Sequence, residues 1–249
     1  MSNKLETKFS NKHFDAIEKG AAEKNGTYFK IIVDYFEKLL PNKKILCVDI
    51  GCGSGVHFSG LASNLNTYLI GVDAPNDYTE LALERGYNEI VDINDLNTEK
   101  LNFESSSIDC IVCKDVLEHL HEPLFLIDEC KRILKVKGKF LVHVPNHFSL
   151  YGRIKFLIKN NLDTFSYFGD DTRFDYPHIR FYKHDDFLKT FKKKGFSLEE
   201  DLSFMFPAIP LAGRFIFIKK IGRFLAKKYP TNFAASITMV VTKNYDIKK

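Results

Sequence analysis

Apolar residues recur at helical spacing over residues 28–40 (YFKIIVDYFEKLL), and Pro41 stops the pattern, which predicts a helix there. The apolar run at 44–50 (KILCVDI) reads as a buried strand. It is followed by a glycine turn over 51–55 and a helix to about residue 65. Thr67–Asp73 reads as a second strand, followed by a helix to about residue 85 with Gly86 as its stop. A short third strand is expected over 89–93 and a fourth over Ile108–Lys114. Pro123 opens a helix with Leu126, Ile127, Cys130, Ile133 and Leu134 on one side, and a fifth strand follows over 139–144. Strands alternating with helices in this way predict βαβ units, hence an α/β fold with a doubly wound, mostly parallel sheet covered on both faces.

The pattern changes after Pro145. Residues 146–180 are rich in aromatic, Asn and Asp residues without a clean period and read as a loop-and-helix insert. A helix over 185–194 and late strands over 196–206 and 233–242 follow, the last two separated by a basic, apolar segment at 207–229. With these the sheet has seven strands. The chain is read as one domain over 1–249: a helical cap at 1–43, a core at 44–146 and acceptor-side inserts at 147–182 and 207–230.

The sharpest chemical signal is Val48-Asp49-Ile50-Gly51-Cys52-Gly53-Ser54-Gly55, between a strand and a helix. Glycines there permit a tight turn and close approach of a ligand to the backbone, and a helix N-terminus adds N–H donors. Asp73 ends the next strand, where a ribose-binding carboxylate belongs, roughly 20 residues on. The dinucleotide pattern G-x-G-x-x-G/A would need Gly or Ala at position 56, which is Val56. An NAD-dependent oxidoreductase is therefore the weaker enzyme reading. The spacing G-x-G-x-G, with an acid two residues before the first glycine, instead resembles motif I of the class I S-adenosylmethionine-dependent methyltransferases.

The resemblance extends to Asp115-Val116-Leu117-Glu118-His119-Leu120, similar to that family's "VLEHL" turn after strand four. It also reaches the 132–139 segment (RILKVKGK), similar to the family's "RVLKPGG" but with Val136 and Lys137 where Pro and Gly are usual. Val144-Pro145-Asn146 resembles the close of strand five in small-molecule members, and residues 178–182 and those from Phe196 onward match only weakly. The match is strong over 45–146 and specific for the superfamily, not for a substrate. It implies a Rossmann-like methyltransferase fold. Asp49, Gly51, Cys52, Gly53 and Gly55 would hold the methionine part of S-adenosylmethionine, Asp73 its ribose, and Lys114 would border the sulfonium. In the loop after strand three, Asn94 and Asp95 are favoured over Asp92 to flank adenine.

A methyltransferase aligns an acceptor with an activated methyl group, and a hydroxyl acceptor also needs its proton removed. His119, His121 and His147 are near the expected site, with His147 the favoured base and His119 the second candidate; His143 reads as packed in a strand. Asp115, Glu118 and His119, at i, i+3 and i+4, would share a helix face and with a later histidine could hold a divalent ion, as in some hydroxyl-methylating relatives. The metal therefore stays open. Cys110-x-x-Cys113 falls within a strand with no second pair and reads as buried thiols.

The acceptor end says less. The layout resembles small-molecule and glycan-modifying methyltransferases, so a sugar or phosphorylated glycan hydroxyl leads and a quinone-like lipid phenol is second. A non-catalytic partner keeping the fold is a further alternative. The DNA-methylating N/D-P-P-Y/F motif is replaced by Lys114-Asp115-Val116-Leu117, and no nucleic-acid partner is expected. Segment 211–229 carries Arg214, Lys219, Lys220, Arg223, Lys227 and Lys228 without an acidic residue. On a helix, Phe217, Ile221, Phe224 and Leu225 form one side and Lys220, Arg223 and Lys227 another, which suits an anionic membrane surface or an anionic acceptor.

Composition adds bounds only. Of 249 residues, 45% are apolar and 27% charged, which excludes a mainly disordered chain. The net charge of +4 is too mild to point to nucleic acid. No apolar run approaches the ~18 residues of a membrane span. Five cysteines and a charged start without an apolar stretch lead to the expectation of a reduced, cytoplasmic protein.

Overall fold

The structure is a computed structural model that describes residues 26–40, 42–64, 66–159, 178–203 and 216–245. Helix α1 (Gly26–Leu39) precedes β1 (Ile45–Ile50), the short α2 (Ser59–Ala62), β2 (Thr67–Asp73), α3 (Thr79–Glu84), β3 (Glu89–Asp92) and β4 (Ile108–Lys114). A 3₁₀ turn (Leu117–His119), α4 (Pro123–Ile133), β5 (Leu134–Pro145), α5 (Leu150–Lys159) and α6 (His184–Lys193) come next. The described chain closes with β6 (Phe196–Asp201), α7 (Ile216–Lys228), α8 (Pro230–Phe233) and β7 (Ser236–Lys243).

The seven strands lie in the order β3-β2-β1-β4-β5-β7-β6. The β1–β2, β1–β4, β2–β3 and β4–β5 pairs are parallel, and β7 runs antiparallel to β5 and β6. The order reverses between β1 and β4, so the crevice where a doubly wound sheet binds ligands lies at their carboxyl ends. Unbroken apolar strands are what a sheet covered on both faces requires. Alternate residues such as Val48, Ile50, Ile111 and Val142 face α4 and α6 (Leu126, Ile127, Phe187, Phe191). Cys47, Leu69, Val112 and Leu141 face α1 and α2 (Ile32, Val33, Phe36, Leu61). All five cysteines are buried free thiols.

The differences from expectation have local causes. The helix after the glycine turn shrinks to the four residues of α2, because Gly51, Gly53 and Gly55 are all left-handed (φ 72°, 50° and 74°) and cannot propagate a right-handed helix. Strand β5 starts at Leu134, five residues early, through an irregular register at Ile108/Cys110. Lys137 there adopts φ 64°, a left-handed conformation uncommon for a residue with a side chain. Pro230 opens the single-turn α8, so the last strand begins at Ser236 rather than Phe233. Strand β6 stops at Asp201. The remainder of the expected 196–206 strand beyond Ser203, the insert at 160–177 and the segment up to residue 215 lie outside the described residues, as does most of the cap at 1–43.

Candidate active site

The glycine turn is tied to β2. Gly51 and Cys52 N–H groups donate to Val72 O (2.8 and 3.3 Å), and Gly55 N–H donates to Cys52 O at 2.9 Å. Gly53 N–H donates to the Asp73 carboxylate at 2.6 Å, and Ala74 N–H to its other oxygen at 2.8 Å. A Cβ on Gly51 would come within 2.3 Å of Val116 Cγ2, and one on Gly55 within 2.7 Å of the Tyr87 ring, so both positions exclude side chains. Asp49 lies beneath the turn, 2% exposed, accepting a hydrogen bond from Tyr87 Oη at 2.6 Å. Burial pushes its carboxyl up to about 8, against the lowering pull of the Tyr87 hydroxyl. Burial also raises Asp73, opposed by the Gly53 and Ala74 amides.

At the end of β4 the structure departs from the expected helix face. Asp115 is left-handed (φ 53°), an uncommon state for a non-glycine residue, and a single 3₁₀ turn follows. Asp115 therefore does not join Glu118 and His119. It pairs with Lys114 Nζ and lies 3.6 Å from His143 Nε2. Burial works against its charge, but Lys114 and then His143 hold Asp115 well below the usual carboxylate range. His143 is packed, with Nδ1 2.7 Å from Thr238 Oγ1, and burial lowers it to about 4.

Glu118 and His119 instead meet His178, with ligand atoms of the three within 4.8 Å of one another. The chain at 178–182 is clamped over the turn: Ile179 and Arg180 N–H donate to Glu118 O (2.9 and 3.1 Å), and Tyr182 Oη donates to Leu117 O at 2.9 Å. His147 Nε2 lies 3.0 Å from His178 Nδ1, and Tyr182 N–H donates to His147 Nδ1 at 3.4 Å. His178 was not among the sequence candidates. The only signal for it was the weak match over 178–182, because sixty residues separate it from the turn it joins.

In the loop after β3, Asp95 organises its own turn, accepting from Asn97 N–H (2.9 Å) and Thr98 Oγ1 (2.7 Å). These amides and hydroxyls lower its carboxyl. Asn94 is exposed beside it, with its N–H 3.4 Å from Glu99 Oε2, and Asp92 is exposed next to Asp73 in register. His121 is exposed.

On α7, Gly222 and Ala226 are buried, whereas Ile221 and Phe224 are exposed. The helix thus packs through its small residues and turns Ile221 and Phe224 of the expected apolar side outward, with Leu225 half-buried. No helix among the described residues is long and apolar enough to cross a membrane.

Residues 48–142 match the methyltransferase domain family. A ubiquinone biosynthesis O-methyltransferase from Xylella fastidiosa is 29% identical over 121 residues, 46% of this chain and 47% of that protein. A probable S-adenosylmethionine-dependent methyltransferase from Mycolicibacterium smegmatis is 29% identical over 155 residues, 62% of this chain and 53% of that protein. The chain thus spans about half the length of these curated relatives. A crystal structure from Thermotoga maritima, a possible histamine N-methyltransferase, shares the fold with a TM-score of 0.64 at 17% identity, over 96% of this chain and 99% of that one. Fold, glycine turn and domain match agree: residues 48–142 match a methyltransferase domain, and the chain has a Rossmann-like methyltransferase fold.

Proposed function

We propose that this chain transfers a methyl group from S-adenosylmethionine to a hydroxyl oxygen of a small molecule. The observation that carries the reading is the Gly53–Asp73 contact at the switch point of the sheet. Each Asp73 oxygen takes one amide and keeps acceptor capacity, which suits the two ribose hydroxyls. The donor set also fits the cation. Asp73 ends β2 and Asp115 follows β4 on the same edge of the sheet, and Lys114 beside them is engaged with Asp115. S-adenosylmethionine supplies an activated methyl on a sulfonium. The chain's part is to align acceptor and methyl, exclude water and receive the acceptor's proton.

We place that proton at the Glu118–His119–His178 cluster. Both ring nitrogens of His147 are engaged, so His147 acts through His178 as a positioning residue and not as the base itself. A carboxylate with two imidazoles is also a donor set for a divalent ion, and an ion held by Glu118, His119 and His178 would lower the acidity barrier of an acceptor hydroxyl.

For the acceptor, a quinone-like phenol draws support from the relatives named as ubiquinone biosynthesis O-methyltransferases. A sugar or phosphorylated glycan hydroxyl is the second reading, supported by a cavity of about 620 Å³ bordered by Arg153, Lys183 and Lys228. The test is transfer of labelled methyl from S-adenosylmethionine to catechols with isoprenoid tails and to a sugar panel. Label on a phenol oxygen supports the first reading and label on a sugar the second. A panel of amines run alongside completes the test, and label on a nitrogen acceptor alone would refute both.

A further inference from the structure

Many of the exposed apolar side chains of the described residues lie on two helices, α5 and α7. On α5, Leu157 and Ile158 are 77% and 75% exposed, and Ile154 and Phe156 nearly half. On α7, Phe224 is 63% exposed, with Ile221 beside it and Tyr229 just beyond. Large apolar side chains exposed in such number are what an interaction site presents. The two helices share a support: both pack on α8, and Arg153 of α5 donates to Asn232 of α8 at 2.6 Å.

The charges on the two helices themselves have one sign. Neither Leu150–Lys159 nor Ile216–Lys228 contains an Asp or Glu. Among their cations are Arg153, Lys155, Lys220 and Lys227, and Lys228 lies 5.5 Å from the centre of the Tyr229 ring. The 620 Å³ cavity lies where α8 meets the ends of these helices, with Arg153, Lys183 and Lys228 on its walls beside Phe148, Tyr229 and the single carboxylate Asp185. Exposed aliphatic and aromatic side chains amid cations, around a hollow in which three cations outnumber one carboxylate, match the layers of an anionic bilayer surface. A second copy of the same face would set cation against cation, which argues against self-pairing.

We propose that the face formed by α5 and α7 docks this protein on an anionic membrane surface, with a lipid phosphate seated between Arg153, Lys183 and Lys228. The surface is independent of the acceptor's identity. Phe148 joins the two regions: it lines the cavity and directly follows His147. An acceptor carried in a lipid layer would therefore meet the protein beside the histidine cluster.

The test is co-sedimentation of the full chain with phosphatidylcholine vesicles, with and without about one-third phosphatidylglycerol. Binding should require phosphatidylglycerol, weaken with added salt and fall on the order of fivefold per cation removed, as in Lys227→Gln and Lys228→Gln. Leu157→Asp with Phe224→Asp should abolish it while the affinity for S-adenosylhomocysteine stays unchanged. The chain has no tryptophan, so Leu157→Trp gives an independent reporter whose emission should shift to the blue with the anionic vesicles alone. Failure to sediment with anionic vesicles, or equal sedimentation with neutral ones, overturns the proposal. So does saturable binding of inorganic phosphate without vesicle binding, which would assign the cavity to a free anion, or a dimer that Leu157→Asp dissociates.

Discussion

Gly53 and Asp73, twenty residues apart in sequence, are joined by a 2.6 Å hydrogen bond from the turn's amide to the carboxylate that ends β2. The contact fixes the carboxylate at the mouth of the crevice and ties the first glycine turn to the second strand. Asp73→Ala should weaken binding of S-adenosylhomocysteine by about 1.5–3 kcal/mol, the usual loss for hydrogen bonds to a charged group. Far-UV circular dichroism should show the fold retained. Titration calorimetry gives the affinity, and an unchanged value would remove Asp73 from the site.

Asp49 gives a pH signature. Its folded pKa, about 8, is raised above the ordinary carboxylate value, so the folded state binds the proton more tightly than the unfolded chain. That contribution is full below about pH 4 and is lost as pH rises toward about 8. Asp49→Asn keeps an acceptor for Tyr87 and removes the titration. Its melting temperature relative to wild type should therefore rise with pH across that window, by the equivalent of up to a few kcal/mol on the order-of-magnitude scale of such shifts. A pH-independent difference would contradict the assignment.

Lys137 occupies a left-handed conformation that glycine adopts without strain. Lys137→Gly should raise stability by about 1 kcal/mol, because the relief of a left-handed residue exceeds the added chain entropy. Urea unfolding checks it, and a loss of stability would show that β5 does not take this path at its start.

For the histidine cluster, His178→Ala and His119→Ala should each lower kcat by about 10²–10⁴ if they receive the acceptor's proton. His147→Ala should lower it less and shift the alkaline limb of the pH–rate profile, since His147 acts through His178. Affinity for the cofactor product should change in none of the three beyond twofold by calorimetry, within about 0.4 kcal/mol. If an ion is held there, exhaustive chelation should reduce turnover in wild type and leave His178→Ala unaffected. Full turnover of His178→Ala would move the proton acceptor elsewhere.

The core was legible because its signals are local. β2 and β4 were read at their observed ends, since an apolar run bounded by polar residues leaves a buried strand little freedom. The glycine turn was legible because left-handed geometry leaves few residue choices. Its backbone path was not, and neither was the position of Asp49 beneath the turn, because Tyr87, its partner, belongs to another element. The histidine cluster was legible in half: Glu118 and His119 carry the family turn, whereas His178 arrives through backbone hydrogen bonds that leave no periodic trace. On α7 the apolar side was read correctly as a side, but nothing in its period says that Gly222 and Ala226 pack inward.

The central claim is that the glycine turn and Asp73 hold S-adenosylmethionine. Titration calorimetry of the purified chain with S-adenosylhomocysteine, alongside NAD, tests it most directly. The account predicts a single saturable site for S-adenosylhomocysteine, no measurable heat with NAD, and binding weaker by about 1.5–3 kcal/mol in Asp73→Ala. Saturable binding of NAD with none of S-adenosylhomocysteine would contradict it.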